Sequence, residues 1–197
     1  APSVYRLEAA PRRSGRPDAI ADPPADQPIP DIIVTGRKQS ESLSDVAAPL
    51  SVFVPDQSGL PKDSTDSAEV ARTTPGLITT NAGPGNNRLF IRGIADSPFS
   101  GFSQSTVAIQ IDEGRATYDG PDPDLRLVDI DRVEVLKGPQ GPLYGTGALG
   151  GVYRLVTRKP VLGSFSASAQ AHADLVHDTQ WGGGGSAVVN LPIVPDT

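Results

Sequence analysis

Cysteine and methionine are both absent from this chain, tryptophan occurs once and histidine twice. Without a thiol there is no disulfide framework and no thiolate metal site. Aromatic residues make up only 5% of the chain, and no apolar run approaches the roughly 20 residues that a membrane-spanning helix needs. No signal-peptide pattern opens it, and it reads as a piece of a longer precursor, cut at both ends. Positive charge is also scarce: 17 Lys and Arg against 23 Asp and Glu give −6, the wrong sign for nucleic-acid phosphates. Turn formers, by contrast, are abundant. With 21 glycines and 20 prolines in 197 residues, many turns and short strands are expected in place of long helices.

The densest pattern runs from Leu125 to Pro160. Val133 and Val135 alternate with Arg132 and Glu134, the period-2 signature of a half-buried strand. Lys137-Gly138-Pro139 stops that strand, and the glycine-rich run GPQGPLYGTGALGG follows, where tight turns need positive φ or close backbone approach. A second strand is expected from Val152 to Thr157, ended by Lys159-Pro160. Gly145 to Gly150 spells GxGxxG, yet the dinucleotide fingerprint needs a helix opening there and an acidic residue about 20 positions on. Here Val-Tyr-Arg-Leu-Val-Thr follows, and no Asp or Glu occurs between Gly151 and Ala173. With no nucleophile–base pair, metal-ligand cluster or phosphate loop either, the reading is a non-enzyme with no cofactor and no metal.

Upstream, residues 11–30 are rich in Pro, Ala, Asp and Arg and read as a flexible linker. The β-branched run Asp31-Ile32-Ile33-Val34-Thr35 follows at once. A strand edge on a tether suits capture by strand addition to a partner's sheet; a plain first strand fits equally well. Leu50 to Val54 alternates as a strand. Asp66-Ser-Ala-Glu69 forms a capping box, with Asp66 as N-cap and Glu69 reaching back, for a helix from about Ser67 to Thr73 stopped at Pro75-Gly76. Leu77–Thr80, Leu89–Arg92 and Thr106–Asp112 read as further strands. The loop between them, DSPFSGFSQS, carries Phe99 and Phe102. Three carboxylates in Asp119–Asp124 lack EF-hand spacing and read as a solvated loop.

After Pro160 the period becomes strict. Odd positions from Phe165 to Leu175 are Phe, Ala, Ala, Ala, Ala and Leu, and from Trp181 onward Trp, Gly, Gly, Ala, Val and Leu, with polar residues between in the first run. Two such segments, each about the 9–11 residues of a tilted transmembrane strand, predict a hairpin with one lipid-facing side, Phe165 and Trp181 at opposite ends. A soluble sandwich hairpin shows the same alternation. His172 falls on the other, lumen-facing side and His177 in the turn.

The segment DIDRVEVLKGPQGPLYGTGALGGVYRLVTRKP closely resembles the closing part of the plug domain of TonB-dependent outer-membrane receptors. AEVARTTPGL, LFIRG and the strand TVAIQID resemble further family elements. Two departures are visible: Tyr153-Arg154 stand where the family has Ile-Asn, and Glu113-Gly114-Arg115 replace Gly-Val-Pro. The resemblance implies an α+β fold, a small mixed-sheet plug with short helices over 31–160, followed over 161–197 by the first antiparallel hairpin of an incomplete transmembrane β-barrel. Residues 1–10 resemble the last strand of a periplasmic signalling domain, with an arbitrary leader as the alternative. Function and partners follow from the family: binding of a scarce solute, foremost a ferric siderophore, and its energised uptake through TonB. The N-terminus would then be periplasmic and the plug inside its barrel in the outer membrane. By resemblance, Asp31, Ile32, Ile33, Val34 and Thr35 are candidates for the TonB box, although the usual early Thr and final Ala are missing. Asn86, Asn87, Phe99 and Phe102 are candidates for apical, ligand-facing loops. Arg92, Arg132, Glu134 and Lys137 are candidates for bracing the plug against the barrel wall. The competing class is a soluble periplasmic binding or signalling module derived from a plug.

Overall fold

The computed structural model describes residues 31–57, 65–80, 82, 86–94, 105–116, 125–176 and 180–192. In chain order the strands and helices are β1 (Ile33–Val34), β2 (Glu41–Ser42), β3 (Leu50–Phe53), α1 (Ser67–Thr73), β4 (Leu77–Thr79), β5 (Leu89–Ile91), β6 (Val107–Ile111), β7 (Gly114–Arg115), β8 (Ile130–Lys137), α2 (Gly141–Tyr144), β9 (Gly151–Thr157), β10 (Ser166–Val176) and β11 (Gln180–Asn190). The candidate linker 11–30, the segment 1–10, Phe99, Phe102, the acidic loop 119–124 and the hairpin turn with His177 lie outside the described residues.

A five-stranded sheet in the order β3-β8-β9-β6-β7 carries the fold. β8 pairs antiparallel with both β3 and β9, whereas β9 and β6 run parallel, so the sheet is mixed as expected. On one face Phe53, Val133, Val135, Tyr153, Leu155, Val107 and Ile109 meet Val70 of α1 and Leu77, Leu89 and Ile91 of the β4–β5 pair. Each such side chain, taken from water, contributes about 1.5–3 kcal/mol. On the other face Leu136, Val152 and Ala108 pack with Tyr144, Ala148 and Leu50.

The second face changes the expectation for β8. Alternation predicted a strand with one wet side, yet Val133 to Leu136 are all buried, Glu134 included. The cause is tertiary: the segment around Val34 to Gly36, itself buried at both ends, and Tyr144 lie across that side. The helix reading is refined in the same way. Asp66 caps α1 by accepting from Glu69 N–H at 3.0 Å, but the Glu69 carboxylate turns to Arg72 at 2.6 Å and does not reach back.

The GxGxxG run leads into β9 and not into a helix, which removes the geometry a dinucleotide requires. Gly151, which opens β9, sits at φ +149 with a virtual Cβ only 2.2 Å from the Leu136 carbonyl oxygen. After β9, β10 and β11 form an antiparallel ladder from Ser166↔Asn190 to Val176↔Gln180. Odd residues pair with odd residues, Ala167 with Val189 and Ala171 with Gly185, so the small and apolar residues of these stretches share one side. Phe165 and Trp181 are exposed at the two ends of the ladder, as the alternation predicted.

Gly151→Ala is therefore expected to force the β8–β9 pairing apart and to cost about 1–3 kcal/mol, as overpacking does. A urea-unfolding midpoint equal to that of the unaltered chain would contradict it.

Candidate functional site

Thr35, the last residue of the candidate N-terminal segment, and two of the candidate bracing charges, Arg132 and Glu134, come together at one place on the second face of the sheet. β8, β9 and β6 set Glu134, Arg154 and Gln110 side by side in register. A charge inside the otherwise apolar strand Val-Tyr-Arg-Leu-Val must find a partner, because an unpaired buried ion is strongly disfavoured. Arg154, with a side chain only 4% exposed, finds several. Its Nη1 donates to Glu134 Oε2 at 3.1 Å and to Thr35 Oγ1; its Nη2 donates to Glu113 Oε1 at 2.7 Å; its Nε donates to the Asp112 carbonyl at 3.0 Å.

Glu134 is fully buried, and both its oxygens are used. Oε1 accepts the Thr35 backbone N–H at 2.9 Å and Arg132 Nε at 2.8 Å, while Oε2 takes Arg154. Arg132 extends the network to Thr35 Oγ1 at 3.3 Å and to Asp131 at 2.6 Å. Glu134 thus lies inside the fold with no exposed surface, satisfied by neighbours in this chain, and the packed N-terminal segment helps to enclose it. The result is a clasp on Thr35, held by one carboxylate and two guanidinium groups.

Flanking contacts prolong the clasp. The Tyr144 hydroxyl donates to the Gly36 carbonyl at 2.5 Å. Lys38, at φ 63, lies 4.8 Å above the Tyr144 ring and donates to Glu113. Burial pushes the Tyr144 hydroxyl pKa up, while the Lys38 hydrogen bond and the nearby Arg154 hold the Glu113 carboxyl below its ordinary value. Burial works to raise the Asp112 carboxyl, but hydrogen bonds from the Thr157 hydroxyl and backbone, with Lys159 nearby, bring it down on balance. Asp112 also adopts the left-handed conformation, φ 49, in the turn before β7.

The remaining candidates separate from this place. Val34 is buried and Ile33 half-exposed, both paired in β1 with β2, and Ile32 accepts from Leu43 N–H at 2.8 Å. Asn87 is buried and accepts from Ala82 N–H at 3.0 Å, so it holds its own loop, whereas Asn86 is exposed. Arg92, exposed and at φ 53, and Lys137 flank Gly76. Desolvation and then the Arg92 charge lower the Lys137 pKa, and neither residue has a carboxylate partner among the described residues. Sequence reading noted Arg154 and Glu113 only as departures from a pattern and passed over Lys38 and Tyr144. The available signal was the lone cation in an unbroken apolar strand.

Comparison with known proteins places these features in context. The family model described as TonB-dependent Receptor Plug Domain matches residues 42–152. The pesticin receptor of Yersinia pestis is 32% identical over 136 residues, which is 66% of this chain and 19% of that protein. The pesticin receptor of Yersinia enterocolitica is 32% identical over 134 residues, 64% of this chain and 18% of that protein. The chain thus spans about a fifth of the length of the curated relatives it matches. Among solved structures, the ferripyoverdine receptor of the outer membrane of Pseudomonas aeruginosa superposes with TM-score 0.57 at 19% identity, covering 78% of this chain and 21% of that one. A mutant of the ferric enterobactin receptor of the same organism gives TM-score 0.57 at 21% identity, covering 75% and 23%.

Two outcomes test the clasp. Glu134→Gln removes the carboxylate that the Arg132 and Arg154 guanidinium groups share and is expected to destabilise the fold by about 3–5 kcal/mol, read from urea midpoints. Because the folded-state pKa of Asp112 is lowered, its contribution is complete above the ordinary carboxylate range and is lost as pH falls through and below that range. Stability should fall as pH drops below about 5, and Asp112→Asn should flatten that fall; an unchanged slope would dismiss the assignment.

Proposed function

Since this chain belongs to the TonB-dependent receptor plug family, we propose that it is the plug, residues 31–160, with the first barrel hairpin, residues 161–197, of an outer-membrane receptor that takes up an iron–siderophore complex. Residues 1–10 would close a periplasmic signalling domain and 11–30 would be the linker between. The observation that carries this reading is the pairing of a family-type plug with an 11-residue antiparallel ladder whose apolar residues share one side. That length spans a bilayer core when tilted, and a two-stranded ladder satisfies its edges in lipid only within a closed barrel. The names of the relatives, which include receptors for ferripyoverdine and ferric enterobactin, support an iron–siderophore ligand.

In this reading the protein does no chemistry on its cargo. The loops that carry Asn86, Phe99 and Phe102 contact the ligand. Asn87 contributes by shaping its loop. Arg92 and Lys137, neighbouring cations without a carboxylate partner among the described residues, brace the plug by meeting acidic groups of the barrel wall. Asp31 to Thr35 is the segment that TonB takes by strand addition, a mode that uses backbone donors and acceptors. Pulling it draws directly on β8 and β9, because Thr35 is bonded to Glu134 and Arg154.

Ile33→Pro, which deletes one backbone donor and fixes φ, is expected to abolish energised uptake while leaving siderophore binding to whole cells unchanged. Uptake at the unaltered rate would remove the TonB assignment from this segment; loss of binding as well would mean that the strand is needed to build the plug.

A further inference from the structure

Two of the places at which this sequence departs from the family pattern touch each other. Glu113, in the turn between β6 and β7, and Arg154, in β9, are joined at 2.7 Å across 41 positions of sequence. The other oxygen of Glu113 accepts from Lys38, just beyond the candidate TonB segment. Lys38 is fixed by its left-handed backbone and its seat above the Tyr144 ring. The backbone ladder that holds this segment is short, with only Ile33↔Ser42 and Val34↔Glu41 paired. Two residue pairs are too few to fix a strand alone, so side chains must keep it in place.

We propose that Lys38, Glu113 and Arg154 form an ion-pair staple, two of whose members depart from the family pattern, that sets how readily the strand Ile33–Val34 leaves the plug and makes its release sensitive to salt. The purpose of the staple rests on the reading of Asp31–Thr35 as the TonB-contacting segment; its geometry does not. Its three members differ in access to water. Arg154 is enclosed, with a side chain 4% exposed, while Lys38 is 32% and Glu113 67% exposed. Mobile ions therefore reach the Lys38–Glu113 arm, which is screened within a Debye length of about 8–10 Å. They do not reach the Glu134–Arg154 pair beneath it. Salt should loosen the segment without dissolving the sheet that carries it.

The test uses the full-length receptor in outer-membrane vesicles with a nitroxide on Ile33→Cys, a half-exposed side chain that admits the label. The mobile fraction of its spectrum is expected to rise between about 0.05 M and 0.5 M KCl. Glu113→Gln, at an exposed site where folding is not at stake, should raise the mobile population at low salt about two- to fivefold, the range of a partly exposed pair, and remove most of the salt response. Lys38→Gln should act alike, and the double variant should add little beyond either. A Glu113→Gln receptor with the original mobile fraction and an intact salt response would overturn the staple, as would a label already fully mobile at low salt. If the strand is released as expected but captures no TonB periplasmic domain in a pull-down, the staple stands and the TonB reading falls.

Discussion

A buried carboxylate between two guanidinium groups is the constraint on which the rest of this structure depends. Glu134 has no exposed surface, and its charge is tolerated only because Arg132, Arg154 and the Thr35 backbone reach it together. Those partners come from β8, from β9 and from the chain ahead of the sheet. Satisfying one ion thus fixes the second face of the sheet and the position of the N-terminal segment in a single arrangement. An apolar row in the same place would pack comparably well, but it would not discriminate between registers. A carboxylate that must meet two forks and a backbone N–H does, because a slip of one residue leaves it unpaired.

The two faces of the sheet consequently do different work. The face built on Val133, Val135, Tyr153 and Leu155 is an apolar core shared with α1 and the β4–β5 pair, and it holds the sheet together by area removed from water. The opposite face is part apolar, around Leu136, Val152 and Tyr144, and part ionic, around Glu134 and Arg154. A mixed face of this kind can hold a segment firmly and still let it go, since hydrogen bonds and ion pairs surrendered to water are largely replaced there. For a plug whose N-terminal strand is proposed to be drawn away by a partner, that is the appropriate chemistry for the contact.

The comparison with relatives bears on family and fold, while the particulars lie in this chain. Arg154 and Glu113 stand where the resembled pattern has asparagine and glycine, and their contact, with Lys38, joins the β6–β7 turn to the N-terminal segment. Arg92 and Lys137, which have no carboxylate partner among the described residues, sit apart from this network, beside Gly76.

Much of the fold was legible in the residues alone, for a physical reason: strand alternation, capping and turn chemistry act over a few neighbouring positions. The helix Ser67–Thr73 with its Asp66 cap, the strands Leu77–Thr79, Leu89–Ile91 and Val107–Ile111, and the odd-position pairing of the C-terminal hairpin all follow from such local rules. The decoy character of Gly145–Gly150 followed from what comes next, a strand in place of a helix. Burial of Glu134 did not follow, because alternation tells which residues share a side but not what covers that side. Arg154 remained a mere departure from a pattern until the parallel pairing of β6 with β9 brought Asp112 and Glu113 beside it. Local propensity wrote the elements; the satisfaction of buried charge, which needs partners 20 to 119 positions away, was decided only when the sheet assembled.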